Sequence, residues 1–333
     1  MKLLVTGGTG FLGKRLCFAL HRKGYKLRIV ARDITKIKDF PEELEIVFGD
    51  IRDREIINKT IDGIDGILHL AALVKSWVKN KKEYYEINVQ ALQNLLNICE
   101  QKKLKFLYVS TFFVSGPTGD KIFNEDDFKE RVKFFNEYER TKYLGYEISK
   151  IHKKKGNPII IVFPGIIYGP GELTDGNFIV KLILDHIQGN LPGMIGKGKY
   201  LWNFVYVDDV VEGIISAWEK EKFGEEFILG GENTLNKNVF EILEKYTGIK
   251  PPKLKIPPAI AYSFGIVQYL YSEITNKQPK FIHRDVKLLT KNWAYSSEKA
   301  EKLLDYKWRS LEEGLKDTIE WIQDEVIKLN DER

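Results

Sequence analysis

Tyr138 and Lys142 lie four residues apart in a stretch that we predict to be a helix over residues 138–155. At that spacing, two side chains lie on the same face of a helix, one turn apart. A free tyrosine hydroxyl titrates near about pH 10 and is a poor base at neutral pH, and a neighbouring ammonium group favours its phenolate form. The pair therefore predicts proton transfer, with Tyr138 as the acid or base and Lys142 lowering the pKa of Tyr138.

Two hydroxyl residues, Ser110 and Thr111, follow an apolar run that we predict to be the fifth strand, residues 106–109. At the carboxyl end of such a strand, a hydroxyl can donate to a substrate oxygen and stabilise its developing negative charge. The alternative is that the pair makes only local hydrogen bonds to the backbone. Asn88 could order a water or a backbone turn near the same site.

Glycines at positions 7, 10 and 13 follow the first predicted strand, residues 2–5, and enter the first predicted helix, residues 11–23. Glycine allows a sharp turn and lets phosphate oxygens approach the backbone amides, and the helix N-terminus attracts negative charge. This position predicts a dinucleotide site rather than a plain turn. The expected contacts of the loop are Gly7, Thr9, Gly10, Phe11, Leu12 and Gly13.

The second predicted strand ends without the acidic residue that would bind the ribose hydroxyls of NAD. Ala31 holds that position and Arg32 follows it, so Arg32 could pair with a 2′-phosphate. This favours NADP over NAD, with the alternative that Arg32 stacks over the adenine or faces solvent. Further cofactor contacts are expected where the third and fourth strands end, at Asp50, Ile51, Leu70, Ala71 and Ala72.

The order of the predicted elements indicates how these residues are positioned. Over the first 163 residues, short runs rich in Val, Ile and Leu alternate with helical patterns, as in a parallel sheet covered on both faces. One of these patterns predicts a long helix across about residues 84–103. We predict an α/β fold, a Rossmann-type doubly wound parallel sheet with a smaller, discontinuous C-terminal substrate domain. Residues 1–163 plus about 204–230 would form the dinucleotide-binding domain, and about 164–203 plus 231–333 the substrate domain. Residues 204–207 and 227–229 look like two further strands that would rejoin the main sheet.

Composition excludes several other classes of protein. The net charge of +5 arises from 52 basic and 47 acidic residues interleaved along the chain, so we expect no nucleic-acid partner. The five histidines are scattered, and Cys17 and Cys99 lack zinc spacing, so we expect no metal site. The chain begins with a strand, and its apolar stretch 259–271 is too short to span a bilayer. We expect a cytoplasmic protein without a transmembrane segment, and leave a homodimer open.

The whole chain resembles an extended short-chain dehydrogenase/reductase of the dihydroflavonol-reductase-like group, and within it is most similar to plant farnesol dehydrogenase-type enzymes. The matching segments are residues 6–13, 69–74 with Trp77, 110–113, 137–142, 164–171, 207–213, 230–233, Tyr295, Ser296, Lys299 and Ala300. The resemblance implies that Thr111, rather than Ser110, is catalytic together with Tyr138 and Lys142. It also implies a nicotinamide cofactor, although relatives with a basic residue after the second strand are not uniformly NADP-dependent.

The same resemblance extends the expected site. It adds Asn88, Pro164, Ile166 and Ile167 to the cofactor contacts, besides Tyr138 and Lys142. Substrate contacts are expected at Trp77, Phe112, Phe113, Tyr168 and Trp202, with the alternative that Trp77, Phe112, Phe113 and Trp202 are ordinary core aromatics. The aromatic stretch at residues 262–271 is also expected beside the substrate.

The substrate expected from the sequence is a hydrophobic alcohol or its aldehyde or ketone. Related enzymes that act on nucleotide sugars commonly place an arginine where this chain has Trp202, and an aromatic ring cannot pair two phosphates. Lys197 or Lys199 could supply that charge instead. A nucleotide-sugar epimerase or dehydratase, which would use the same catalytic residues, is the first alternative, and a dinucleotide-binding protein without turnover is the second.

Overall fold

The computed structural model describes residues 1–131 and 133–327. Its strands are β1 (Lys2–Thr6), β2 (Lys26–Ala31), β3 (Glu45–Phe48), β4 (Gly66–His69), β5 (Lys105–Val109), β6 (Ile159–Pro164), β7 (Ile166–Tyr168), β8 (Met194–Ile195), β9 (Leu201–Tyr206), β10 (Glu226–Leu229), β11 (Glu232–Leu235) and β12 (Lys255–Ile256).

The α-helices are α1 (Phe11–Arg22), α2 (Arg54–Ile61), α3 (Lys82–Tyr85), α4 (Ala91–Lys102), α5 (Glu137–Lys154), α6 (Phe178–Ile187), α7 (Val207–Glu219), α8 (Asn236–Thr247), α9 (Pro258–Thr275), α10 (His283–Leu289), α11 (Glu298–Leu304) and α12 (Leu311–Trp321). Short 3-10 segments lie at Ile34–Ile37, Phe112–Ser115, Glu125–Asp127 and Asp175–Asn177, and π-helical segments at Glu86–Gln90 and Ile322–Ile327.

Seven parallel strands form the main sheet, in the order β10-β6-β5-β4-β1-β2-β3. Each face of the sheet is covered by a separate hydrophobic core. Within β5, Phe106 packs in the core on the side of α4 and α5, and its neighbour Leu107 packs in the core on the side of α1 and α7. Burial on both faces explains why the strands are apolar without alternation. The prediction of a doubly wound Rossmann-type sheet is confirmed.

The strand order reverses between β1 and β4, since the chain proceeds from β1 to β2 and β3 on one side and from β4 to β5 and β6 on the other. In open α/β sheets, ligands bind outside the carboxyl ends of the strands at this reversal. The glycine loop after β1 and the residues that follow β4 meet there.

A second region consists of the sheet β11-β9-β7, the pair β12-β8 and the helices packed on them. We expected residues 204–207 and 227–229 both to join the main sheet. Only the latter do so, as β10. The chain leaves the main sheet at Gly165, directly after β6, so β7 lies outside that sheet. β9 pairs with β7 and is therefore also outside the main sheet. β10 takes the place beside β6 instead.

The helix expected across residues 84–103 is interrupted. A π-helical segment, Glu86–Gln90, lies between α3 and α4, and it contains the buried Asn88. Such a segment has one more residue per turn, so it changes the direction in which the flanking side chains point, and it often occurs at functional sites. Propensity patterns do not reveal it.

Candidate active site

The glycine loop is packed tightly against the end of β4. Gly7 has a φ of +75°, and a Cβ there would lie 2.6 Å from the Ala71 nitrogen. A Cβ at Gly13 would overlap the Gly7 carbonyl oxygen. The helix α1 then begins after Gly10 with no side-chain cap, so its first-turn N–H groups are available to an anion. The loop therefore has the form of a phosphate-binding turn.

This loop forms one wall of a cleft of about 980 Å³. The predicted site residues that line the cleft are Gly7, Thr9, Gly10, Phe11, Leu12, Gly13, Arg32, Asp50, Ile51, Leu70, Ala71, Ala72, Thr111, Phe113, Tyr138, Lys142, Pro164, Ile166 and Ile167. Residues that are far apart in the sequence thus meet on one surface, with Tyr138 and Lys142 in the same cleft as the glycine loop.

Thr111 and Lys142 are held by contacts at the end of β5. The Thr111 hydroxyl accepts a hydrogen bond from the Phe113 nitrogen at 3.4 Å and also influences the proton affinity of Tyr138. Lys142 is buried, donates from Nζ to the Val109 carbonyl oxygen at 2.9 Å and lies 4.4 Å from the centre of the Tyr108 ring. The hydroxyl of Ser110, beside Thr111, is buried without a partner among the described residues.

Burial controls the proton affinities here. It raises the pKa of Tyr138 to about 12, although the Thr111 hydroxyl acts in the opposite direction. It lowers the pKa of Lys142 to about 7. In the protein on its own, the pKa of Tyr138 is therefore above its ordinary value rather than below it as expected, because loss of hydration disfavours the phenolate.

The start of α5 is fixed by a buried ion pair that the sequence analysis missed. The Asn136 side chain accepts from the Glu139 nitrogen at 2.8 Å and caps the helix. The Glu139 carboxylate accepts from Arg131 Nη2 at 2.7 Å, and Arg131 Nη1 donates to the Phe113 carbonyl oxygen at 2.7 Å. These bonds connect the segment after β5 to the helix that carries Tyr138. An Arg and a Glu eight residues apart gave no signal of this in the sequence.

Asn88 does not line the cleft, contrary to the expected cofactor contact. It is buried, and its side chain exchanges hydrogen bonds with the Leu73 backbone at 2.7 and 3.2 Å. It also donates to Thr141 Oγ1 at 2.9 Å. The π-helical segment thus aims Asn88 at the loop after β4 and at α5, so Asn88 positions both walls of the cleft.

Where β2 and β3 end, the cleft is open and charged. The Arg32 side chain is 67% exposed and lies 3.8 Å from the Asp50 carboxylate. Asp50 is paired more closely with Arg52, at 2.8 Å. Lys36, which also lines this end, was not anticipated from the sequence.

Four of the five expected substrate contacts lie outside the cleft lining, and Phe113 alone of them lines it. Trp77 is buried and donates to Glu273 at 2.5 Å. Phe112 is buried with its ring centre 4.5 Å from that of Tyr295. Both are core aromatics, the alternative stated above: Trp77 lies in the loop between β4 and α3, and Phe112 begins the 3-10 segment after β5.

Tyr168 and Trp202 are likewise buried away from the cleft. The Tyr168 hydroxyl donates to the Leu311 carbonyl oxygen at 3.4 Å, and Trp202 Nε1 donates to the Lys291 carbonyl oxygen at 3.0 Å. Both belong to the β11-β9-β7 sheet, whose side chains pack into the core. Trp202 packs behind the cleft-lining Phe178, whose ring centre lies 6.4 Å from its own.

Other segments take their place at this end of the cleft. The loop after β4 and the segment around the start of α6 supply the residues that the sequence analysis did not find. They are Leu73, Val74, Lys75, Leu173, Thr174, Asp175, Phe178 and Lys181. The aromatic stretch at residues 262–271, which we expected beside the substrate, instead lies on α9 and is absent from the lining.

The model of the NAD dependent epimerase/dehydratase family matches residues 3–230. Among curated proteins, a putative dihydroflavonol 4-reductase of Synechocystis sp. is 27% identical, over 96% of this chain and 94% of its own length. A UDP-N-acetyl-alpha-D-glucosaminuronate decarboxylase of Bacillus cytotoxicus is 28% identical, over 97% and 98% of the two chains.

A solved structure is also similar to this chain over nearly its whole length. The UDP-glucuronic acid 4-epimerase of Bacillus cereus, in complex with NAD, is 26% identical with a TM-score of 0.77, over 97% of this chain and 99% of its own. The family match spans the whole Rossmann-type sheet, and the relatives include one named for a dihydroflavonol reductase, as the sequence motifs implied. The chain belongs to the NAD dependent epimerase/dehydratase family, the extended short-chain dehydrogenases/reductases.

Proposed function

We propose that this protein is an oxidoreductase that interconverts a hydrophobic alcohol and its aldehyde or ketone with a nicotinamide dinucleotide. The observation that carries the proposal is the meeting of Thr111, Tyr138 and Lys142 in the same cleft as the glycine loop. A protein that only bound the dinucleotide would not need a half-buried phenol beside a buried amine at this position.

The residues of the cleft fit a dinucleotide. A phosphate-binding turn at Gly7 to Gly13 leaves no room for a side chain, and the uncapped start of α1 faces the same space. The small residues Ala71 and Ala72 would let the cofactor lie against the end of β4. The related Bacillus cereus epimerase was crystallised with NAD, which supports a cofactor of this class.

We infer that NADP binds at least as tightly as NAD. No carboxylate stands at position 31, and Arg32 is exposed at the open end of the cleft with a loose pair to Asp50. Lys36 lines the same end. Lys36 is held only by a long contact with Glu172, at 3.5 Å. Two loosely paired cations would suit a 2′-phosphate better than a bare ribose hydroxyl.

The nicotinamide ring, when bound, supplies the carbon that exchanges a hydride with the substrate carbon. Thr111 would donate to the substrate oxygen from the end of β5. During oxidation, Tyr138 would take the hydroxyl proton, and during reduction it would return that proton. Lys142, released from the Val109 carbonyl oxygen, would donate to the ribose hydroxyls and stabilise the phenolate of Tyr138 in the charged complex.

The apolar substrate is supported by the side chains available. Leu73, Val74, Phe113, Leu173 and Phe178 line the cleft beyond Tyr138, as expected for a molecule with an apolar body and one oxygen at its tip. Lys197 and Lys199, which could have replaced the arginine absent at position 202, are exposed and outside the lining.

A nucleotide-sugar epimerase or dehydratase is the second candidate. It is favoured by Lys75 and Lys181, cations that line the cleft, and by the sugar-nucleotide enzymes among the relatives. Lys181 is paired with Asp175 at 3.0 Å, so its charge is partly neutralised. For this reason we place the apolar alcohol first.

One assay separates the two candidates. Purified protein would be incubated with NAD or NADP and a panel of prenyl and aromatic alcohols, while absorbance of the reduced cofactor is followed. UDP-sugars would be tested in parallel for epimerised, decarboxylated or dehydrated products, with Tyr138→Phe as the inactive control. Saturable alcohol oxidation without UDP-sugar turnover supports the proposal, and saturable UDP-sugar turnover contradicts it.

A further inference from the structure

Helix α9 is built with its small residues inside and its large apolar residues outside. Ala261, Gly265 and Ser272 are buried, and a Cβ at Gly265 would overlap the His283 backbone of α10. The outer face carries an apolar stripe, defined as Ile260, Phe264, Val267, Tyr271 and Ile274, whose members are 49% to 81% exposed. The spacing of four, three, four and three residues places them on one side of the helix. Soluble proteins rarely expose such a continuous apolar patch unless it binds a partner or a membrane.

Cations flank the stripe at both ends. From residue 250 to residue 291, the chain has eight basic and two acidic residues. Lys250, Lys253 and Lys255 precede α9 and are exposed, as are Lys277, Lys280 and Lys287 after it. Within residues 1–131 and 133–327, none of these six lysines forms an ion pair. The two acids are already engaged, Glu273 by Lys81 and Trp77, and Asp285 by the Ile282 nitrogen.

The occupant of this face must suit both the apolar stripe and the surrounding charge. A second copy of the chain suits them poorly, because a two-fold interface sets the same patch against itself and would bring lysines against lysines. An anionic lipid surface suits both, since an interfacial helix buries its apolar face while flanking lysines contact phosphate-bearing headgroups. No helix of the described residues is long and apolar enough to cross a membrane, so the helix would lie in the interface.

We propose that the α9 stripe and its flanking lysines bind the surface of an anionic membrane, with α9 lying in the plane of the interface. The membrane contact does not depend on the reaction proposed above, because none of these residues lines the cleft.

The test is sedimentation of the full-length protein with vesicles of phosphatidylcholine alone or of phosphatidylcholine mixed with phosphatidylserine. We expect binding to the mixed vesicles that weakens as salt rises. Phe264→Asp/Val267→Asp should abolish it, whereas Ile122→Asp/Ile151→Asp, which places the same charges at exposed apolar positions elsewhere, should bind normally. Thermal unfolding of each variant shows whether it is folded.

The contribution of the cations is measured separately. Lys277→Glu/Lys280→Glu should lower the partition coefficient by about fivefold or more for each lysine lost. Lys129→Glu/Lys154→Glu, with the same change in net charge on other exposed residues, should have little effect.

Three results would overturn the proposal. The first is no binding to either type of vesicle. The second is equal, salt-independent binding to both, because the lysines would then play no part. The third is a dimer of the original protein, seen by analytical ultracentrifugation, that the Phe264→Asp/Val267→Asp variant does not form. In this third case the original protein would also fail to bind vesicles.

Discussion

The end of the cleft that holds Tyr138 and Lys142 and the end that holds Arg32 differ in how their side chains are fixed. Lys142 is buried, bonded to Val109 and packed on the Tyr108 ring. Arg32 is mostly exposed, with one loose ionic contact. Interactions in a buried, low-dielectric site are stronger than those screened by water. We therefore expect substitutions at the first end to have large effects and substitutions at the second to have small ones.

The largest effect is expected for Tyr138→Phe. A positioned proton-transfer group contributes about a hundred- to ten-thousand-fold in rate, so turnover should fall by about that factor. Cofactor affinity, measured by fluorescence titration, should remain nearly unchanged, because the phenyl ring keeps its place in the cleft. Lys142→Ala is the comparison variant and should damage both. Turnover of Tyr138→Phe at the original rate would refute the assignment.

The next effect concerns the ion pair that supports the buried end. Glu139→Ala leaves the Arg131 guanidinium buried and without its carboxylate, which should lower the free energy of unfolding by about 3 kcal/mol. Glu137→Ala, in the same turn of α5, removes an exposed pair with Arg140 and should cost under about 1 kcal/mol. Urea denaturation measures both. Equal losses would mean that burial does not distinguish these two pairs.

Lys142 should also make stability depend on pH. Its folded pKa is about 7, below the ordinary value of 10.5, so above pH 7 the unfolded chain binds more protons than the folded one. The free energy of unfolding therefore gains a contribution that rises with pH from about 7 to 10. The difference between the original protein and Lys142→Met, followed by urea denaturation across this range, isolates that contribution. A difference that stays constant with pH would show that Lys142 is not desolvated.

Two other parts of the cleft differ in how well the sequence predicted them, namely the glycine loop with the catalytic pair and the side expected to hold the substrate. The glycine loop is continuous in the sequence and its strand-turn-helix context is local, so its position between β1 and α1 was predicted correctly. Tyr138 and Lys142 share one helix face, which a spacing of four residues reveals. These features depend on short-range geometry alone.

The substrate side depends on segments that are distant in the sequence. Leu73, in the loop after β4, and Phe178, at the start of α6, line the same cleft although they are far apart in the sequence. Phe112 and Phe113 are neighbours with the same chemistry, yet only Phe113 lines the cleft, and the 3-10 turn decides which of them does so. Asn88 does not line the cleft because it lies in a π-helical segment, and no residue type in that segment predicts a π-helix. Tertiary packing determines these three outcomes, and local spacing in a single sequence does not predict them.

The smallest effect is expected at the open end, for Arg32→Ala. An exposed guanidinium that pairs with a 2′-phosphate is screened by water, so its loss should weaken NADPH binding by about five- to tenfold. NADH has no phosphate at that position, and its dissociation constant should barely change. Lys38→Ala is the matched control, since Lys38 is exposed nearby but does not line the cleft. Fluorescence titration of both reduced cofactors against the three proteins gives the answer. A preference for NADH in the original protein that persists unchanged in Arg32→Ala would mean that Arg32 faces solvent and that other groups select the cofactor. In that case the predicted residues would matter for function at the buried end of the cleft, through Tyr138 and Lys142, and not at the open end.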